Sequence, residues 1–333
     1  MVSARRAERN MAMELEGMNN NKRLMTVLWT MVSVYAVGTI ANALFSLNLQ
    51  GSLLVLIALA FGLVHGAMRY RWSGIVTFIV IALVVSNILE NTSILTGFPF
   101  GHYHYTDTLG PKLFLVPLVI GVAYFSTGYL AWTLSTVLVG DLRRASSALT
   151  TFAVPFIASF LMVVWDLCLD PTASTINHLW VWEQGGGYFG VPLTNYLGWF
   201  LTVYVFFQLF ALFLRFRSAA PEETQPVSRS YLAQAVVMYG VMGLAFVLTY
   251  LVDHGSSQVT DAAGVVWQTG SIAEARAAVS IFTMIFAAVL SAVKLLQTPA
   301  VAPAYVASAG EAAAPGNHGL DRPSTLGRSP SVT

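Results

Sequence analysis

Apolar residues run in long unbroken stretches along this chain, parted by short polar breaks. Eight such stretches stand at about 24–46, 51–68, 73–94, 113–137, 147–169, 193–214, 231–252 and 278–297. Most approach the roughly 20 residues that a helix needs to cross a bilayer. A helix is also the element that satisfies its own backbone hydrogen bonds in lipid. Strands of an outer-membrane barrel would alternate at period two over about ten residues, and these runs do neither. The pattern predicts an all-α fold, a polytopic membrane helical bundle of about eight transmembrane helices. The second stretch is the shortest and carries His65.

Charge sets the expected orientation. Of the 17 Lys and Arg residues, fifteen fall on the side of the N-terminus, and only Lys112 and Arg276 fall on the other. Basic residues gather in cytoplasmic loops, so both termini are expected in the cytoplasm. Residues 1–23 then form a cytoplasmic N-terminal segment and 24–297 the integral membrane domain. Residues 298–333, rich in Ala, Pro, Gly and Ser, form a tail expected to be disordered. Ala41-Asn42-Ala43 imitates a signal-peptide cleavage site, but the charged lead-in is too long, so a retained first helix is expected.

Composition narrows the function. The chain is 56% hydrophobic and 10% charged, with a mean hydropathy of +0.66; soluble domains average about 25% charged residues. A soluble enzyme is excluded. The net charge of +1 comes without a basic stripe, so no nucleic-acid partner is expected. The single cysteine, Cys168, has no partner for an internal disulfide.

The acids carry the candidate chemistry. Glu90 closes the third stretch, Asp166 and Asp170 the fifth and Asp253 the seventh, which sends all four toward one extracytoplasmic face. At a helix C-terminus the macrodipole disfavours a carboxylate, and burial disfavours its charge as well. Both effects favour the protonated acid that general acid catalysis requires. Asp166 and Asp170 are four residues apart and share a helix face, so one is expected to donate a proton while the other accepts one. The alternative for Asp170 is a solvated start to the Asp-Pro turn. Asn87 and Asn91 flank Glu90 at helical spacing and suggest a polar strip facing inward. Asp253, beside His254, reads as a solvated helix end.

Two outer loops are unusual. One reads Gly97-Phe98-Pro99-Phe100-Gly101-His102-Tyr103-His104-Tyr105-Thr106-Asp107, the other Trp180-Val181-Trp182-Glu183-Gln184-Gly185-Gly186-Gly187-Tyr188-Phe189-Gly190-Val191-Pro192. An aromatic belt at the headgroups accounts for the rings but not for the dense glycine and proline. A folded lid at a substrate mouth accounts for both, and aromatic faces stabilise a passing cation. His102-x-His104 beside the acids is the one metal candidate, and six histidines in all are too few for a histidine-rich iron site. No metal and no cofactor is expected; phosphate-binding loops, dinucleotide fingerprints and nucleophile elbows are absent.

Three segments resemble a known family. Glu90 with Thr96-Gly97-Phe98-Pro99-Phe100-Gly101-His102-Tyr103-His104-Tyr105 is similar to the first signature of the membrane carotenoid-biosynthesis hydratases, the carotenoid 1,2-hydratase and bisanhydrobacterioruberin hydratase type. Trp165-Asp166-Leu167-Cys168-Leu169-Asp170-Pro171 resembles the second. Trp180, Trp182, Gly187-Tyr188-Phe189-Gly190-Val191-Pro192, Asn195 and Gly198-Trp199 resemble the third. Residues 25–215 are covered. The chain departs from the pattern at Asn91-Thr92-Ser93, where a small residue is expected, and the polar loop from Asp253 to Arg276 does not map onto it.

The resemblance implies addition of water across the terminal C1–C2 double bond of an acyclic carotenoid end group, with no redox cofactor. Asp166, Asp170 and Glu90 are then the catalytic acids. Tyr103, His104, Tyr105, Trp165, Trp182 and Tyr188 line the substrate pocket, and Asn195 holds water. The expected partners are a hydrophobic acyclic carotenoid or other isoprenoid, the lipid bilayer and other enzymes of the pathway. In a prokaryote the site of action is the cytoplasmic membrane. Two alternatives use the same acids: a terpene or carotenoid cyclase, in which an alkene reaches the cation before water, and a proton-coupled transporter.

Overall fold

The computed structural model describes residues 2–47, 53–142, 146–217 and 228–297, with side chains from residue 21 onward. The expected tail, 298–333, lies outside the described residues. Eight α-helices follow in order: α1 (Val2–Phe45), α2 (Leu53–Thr96), α3 (Leu118–Val139), α4 (Ala148–Asp170), α5 (Leu193–Phe216), α6 (Arg229–Val252), α7 (Thr269–Ser280) and α8 (Phe286–Gln297). A π-helical turn, Ile281–Ile285, joins α7 to α8 into one segment. Among the described residues seven helical segments are long and apolar enough to cross a membrane. In α1 the apolar part is Asn21–Phe45, so the expected N-terminal segment and the first crossing share one helix.

Seven segments contain the eight expected crossings because α2 is a hairpin. As a straight rod its 44 residues would span about 66 Å, twice a bilayer core. The chain leaves helical geometry at Arg71, with φ 59° and ψ 167°. A Cβ placed on Gly66 would lie 2.4 Å from Ile75 Cδ1, and nine residues along a straight helix would keep them about 13 Å apart. The limbs 53–70 and 72–96 therefore run antiparallel and correspond to the second and third apolar stretches. Charged groups hold the turn. Arg69 pairs with Asp141 at 2.7 Å, and Arg217 donates to the Tyr70 carbonyl at 3.1 Å and to Ser73 Oγ at 3.0 Å. The bond from Arg217 to Tyr70 serves a carbonyl that a helix end leaves unpaired.

Helix α3 is central. It is 67% buried across its apolar window, against 22% for α1, and it packs on α2, α4, α6 and α8. Its ring Trp132 meets Phe207 and Phe210 of α5 and Phe78 of α2. On the outside, Phe152, Phe156, Phe160, Leu197 and Phe216 are exposed, as a lipid-facing surface requires.

Helix α4 ends in a wide turn. Pro171 has no N–H to give to the preceding helical turn, and the chain widens into a π-helix over Pro171–Ile176, with Asn177 N bonding Thr172 O at 2.9 Å. Above the bundle, β1 (Tyr103–Tyr105) pairs antiparallel with β4 (Trp180–Trp182), placing Tyr103 opposite Trp182 and Tyr105 opposite Trp180. The short pair β2 (Lys112–Leu113) and β3 (Val116–Pro117) lies between them in sequence. A hairpin of β5 (Gln258–Thr260) and β6 (Val266–Gln268) occupies the loop that the family pattern left unmapped.

Candidate functional site

Glu90 sits on the inward face of the second limb of α2. That face reads Ala82, Ser86, Glu90 and Ser93, all buried, at steps of four, four and three residues. The strip facing inward is thus serine and glutamate, and not the expected Asn87 and Asn91. Those asparagines bond each other along the helix flank, and Asn91 Oδ1 accepts the Leu115 N–H at 3.0 Å. They fasten the β2–β3 loop.

Three phenols converge on Glu90. Tyr124 of α3 donates to Oε1 at 2.7 Å, Tyr105 of β1 donates to Oε2 at 2.9 Å, and Tyr103 donates to the same oxygen. Burial, and next the Glu90 charge, push the Tyr103 and Tyr105 phenols well above their ordinary value. Both remain protonated donors. The loop leading to them is held by Ser93, whose hydroxyl donates to Gly101 O at 2.9 Å and accepts Phe100 N at 3.0 Å.

Asp166 and Asp170 occupy the end of α4, one turn apart. The Asn195 amide nitrogen, in the first turn of α5, donates to Asp166 Oδ2 at 2.9 Å and to Asp170 Oδ2 at 2.7 Å. The two carboxyl groups therefore lie within two hydrogen-bond lengths of each other. Asp170 Oδ1 accepts the indole N–H of Trp180 at 2.7 Å and that of Trp182 at 3.4 Å. Asp166, Asp170 and Asn195 are each 1% exposed and Glu90 2%. The bland alternative for Asp170, a solvated turn, is thereby removed.

Counting donors separates the three acids. Both oxygens of Glu90 and both of Asp170 accept hydrogen bonds from O–H or N–H groups. Of the six carboxyl oxygens, Asp166 Oδ1 is the one that accepts none among the described residues. Each carboxyl oxygen has two lone pairs, and Asp166 Oδ1 is the oxygen on which both are left open for a proton.

A family match covers this same constellation. A model of the family described as "Carotenoid biosynthesis protein" matches residues 48–259, well over half of the chain, with all three acids and Asn195 inside. The chain belongs to this family. It is similar to the bisanhydrobacterioruberin hydratase of Haloarcula japonica, with 35% identity over 115 residues. That alignment covers 34% of this chain and 37% of the relative, so the match spans little more than a third of the relative's length. No solved structure matches.

In this carotenoid biosynthesis protein, rings surround the acids. Trp199 of α5 stacks on Tyr124 with centroids 4.4 Å apart and planes at 13°, and Trp165 meets Trp199 at 6.2 Å, edge to face. Tyr103 lies 4.7 Å from Trp182, and Tyr105 lies 5.9 Å from Trp180. Period two along β1 sends His104 to the opposite face. Its side chain is 55% exposed, with Nδ1 3.4 Å from Glu183 Oε1, away from the acids. Among the described residues no three His, Cys, Asp or Glu side chains converge as a metal site. Asp253 is exposed and caps the Gly255 N–H at 2.9 Å.

The hairpin β5–β6 covers the glycine-rich loop. Trp267 lies 5.4 Å from Phe189, and Asp261 binds the hairpin's own N–H groups and the Trp267 indole. Tyr124, Trp180 and Trp199 are site residues that the sequence reading did not assign. Trp180 was accessible through the alternation Trp180-Val181-Trp182; Tyr124 sits inside an apolar run with no signal beyond being a tyrosine in a membrane helix.

Proposed function

We propose that this protein adds water across the terminal C1–C2 double bond of an acyclic carotenoid end group. The observation that carries this reading is a cluster of three buried carboxyl groups among aromatic rings, in which Asp166 Oδ1 is the one carboxyl oxygen that accepts no hydrogen bond among the described residues. Asp166 gives that proton to C2, leaving a tertiary cation at C1. The faces of Trp165, Trp199 and Tyr124 stabilise the cation, and so do the carboxylates of Asp170 and Glu90, oriented in advance by their N–H and O–H donors. Water then bonds to C1 through an oxygen lone pair, and its surplus proton passes to the Asp166–Asp170 pair, which ends the cycle holding one proton as it began.

On this reading the enzyme is a cofactor-independent hydro-lyase. Its long apolar substrate arrives from the bilayer, in a prokaryote the cytoplasmic membrane, where other enzymes of the pathway supply it. Family membership and the partial likeness to a hydratase support the substrate class. The test is co-expression with a pathway that makes acyclic carotenoids, followed by mass analysis of the pigments. Hydration adds the mass of one water, and Asp166→Asn is expected to lower that product at least a hundredfold, within the range usual for a general acid. A pigment of unchanged mass and altered retention would make the protein a cyclase, in which an alkene reaches the same cation first.

A further inference from the structure

Three hydroxyl groups near the end of α4 are buried and have no hydrogen-bond partner among the described residues: those of Tyr188, Tyr196 and Thr172. Their neighbours make a contrast, since Tyr103, Tyr105 and Tyr124 all spend their protons on Glu90. Tyr196 follows Asn195 on α5 and is 7% exposed. Its ring lies 5.8 Å from that of Tyr188, edge to face. It shares one apolar cluster with Trp182, Val191 and Phe100, and Trp182 touches Asp170. Tyr196 is also within electrostatic reach of Asp170 and Asp166. Tyr188 is fixed in place by two backbone bonds with Val191, at 3.0 and 3.2 Å. Thr172 stands on the wide turn directly after Asp170.

Hydroxyls enclosed by apolar side chains are rarely left unpaired, and the usual remedy is an ordered water with two to four polar partners. A phenol suits the task because it can both donate to a water oxygen and accept a water proton. The geometry points to a water site formed by the hydroxyls of Tyr196 and Tyr188 beside Asp170, whose water is the nucleophile that captures the cation. This inference rests on the hydratase reading. In the step, a lone pair of the water oxygen forms the C1–O bond, one O–H bond of that water breaks, and the proton goes to the Asp170 carboxylate before returning to Asp166. No oxidant or reductant takes part. Tyr188 and Tyr196 are positioning residues here.

The experiment compares Tyr196→Phe, Tyr188→Phe and the double variant with wild type, in cells making an acyclic carotenoid. Expected in the double variant is at least a tenfold fall in the ratio of hydrated product to isomers of unchanged mass. The isomers rise because the cation still forms and then loses a proton or closes a ring; in deuterated water they carry deuterium. A merely structural role would lower both products together and leave the ratio alone. An unchanged ratio, or loss of both products, overturns the inference. Thermal melts in detergent supply a second check: neither hydroxyl has a hydrogen-bond partner among the described residues, so the variants are expected to melt with wild type, and a lower midpoint contradicts the premise. A wild-type protein that yields no hydrated pigment overturns the hydratase reading itself, and that result is known before any variant is made.

Discussion

Glu90 shows how a single buried carboxyl group organises its surroundings. Three phenols from two separate elements end on its two oxygens, so its removal leaves three donors unpaired in an apolar interior. Each such donor costs about 1–3 kcal/mol. Glu90→Ala is expected to lower the thermal midpoint in detergent strongly. Glu90→Gln, which keeps an acceptor oxygen, is expected to cost clearly less. Alkali gives a further check on β1. Tyr103 and Tyr105 are held protonated in the fold, while an unfolded phenol ionises near pH 10. Their contribution to stability is therefore intact below about pH 10 and declines as pH rises toward the folded values. In melts between pH 8 and 11, Tyr103→Phe is expected to flatten that alkaline loss.

At the scale of elements, the loop before β1 depends on a contact that tolerates no side chain. A Cβ on Gly198 would fall 2.7 Å from the Phe100 ring and 2.9 Å from its backbone, so the loop before β1 rests directly on α5. Gly198→Ala is expected to cost about 1–3 kcal/mol as overpacking does. It also lifts Phe100 and the strand that aims Tyr103 and Tyr105, so hydrated pigment should fall even in preparations where the protein accumulates normally. The α2 hairpin behaves differently. Arg69, nearly buried, faces Asp141 at 2.7 Å at the end of the bundle opposite the acids. Breaking a buried pair costs about 3–5 kcal/mol, with some relief here because Asp141 is partly exposed. Arg69→Ala is expected to lower the melting midpoint while the folded fraction keeps its ratio of hydrated product to isomers.

At the scale of the whole molecule, the acids and the basic turns occupy opposite ends of one bundle. The sidedness expected from the charges has a direct measurement, because the one native cysteine, Cys168, is buried. A cysteine placed at Lys112 is expected to react with a membrane-impermeant maleimide in intact cells. One placed at Arg71 is expected to react only after the membrane is opened. The reverse pattern would invert the topology and put the acids on the cytoplasmic side.

What the sequence determined by itself follows from local physics. Stretches of twenty apolar residues have no stable alternative to helices in lipid, so the bundle and its eight crossings were legible, including the two that α2 joins into a hairpin. Acids at helix ends were conspicuous for their rarity in apolar runs, so Glu90, Asp166 and Asp170 stood out as candidates, and the fold buries all three. The tertiary structure decided which groups meet. Asn195 bridges two aspartates 29 and 25 positions away, and Tyr124 reaches Glu90 across 34; neither distance leaves a trace in periodicity. Strand pairing decided that His104 turns outward while its neighbours turn in, since a period of two gives the alternation but not which side faces the acids. Asp166 stands apart from Asp170 for the same reason: their residue type and spacing are equivalent, and only the donors that folding brings to one of them make the two unequal.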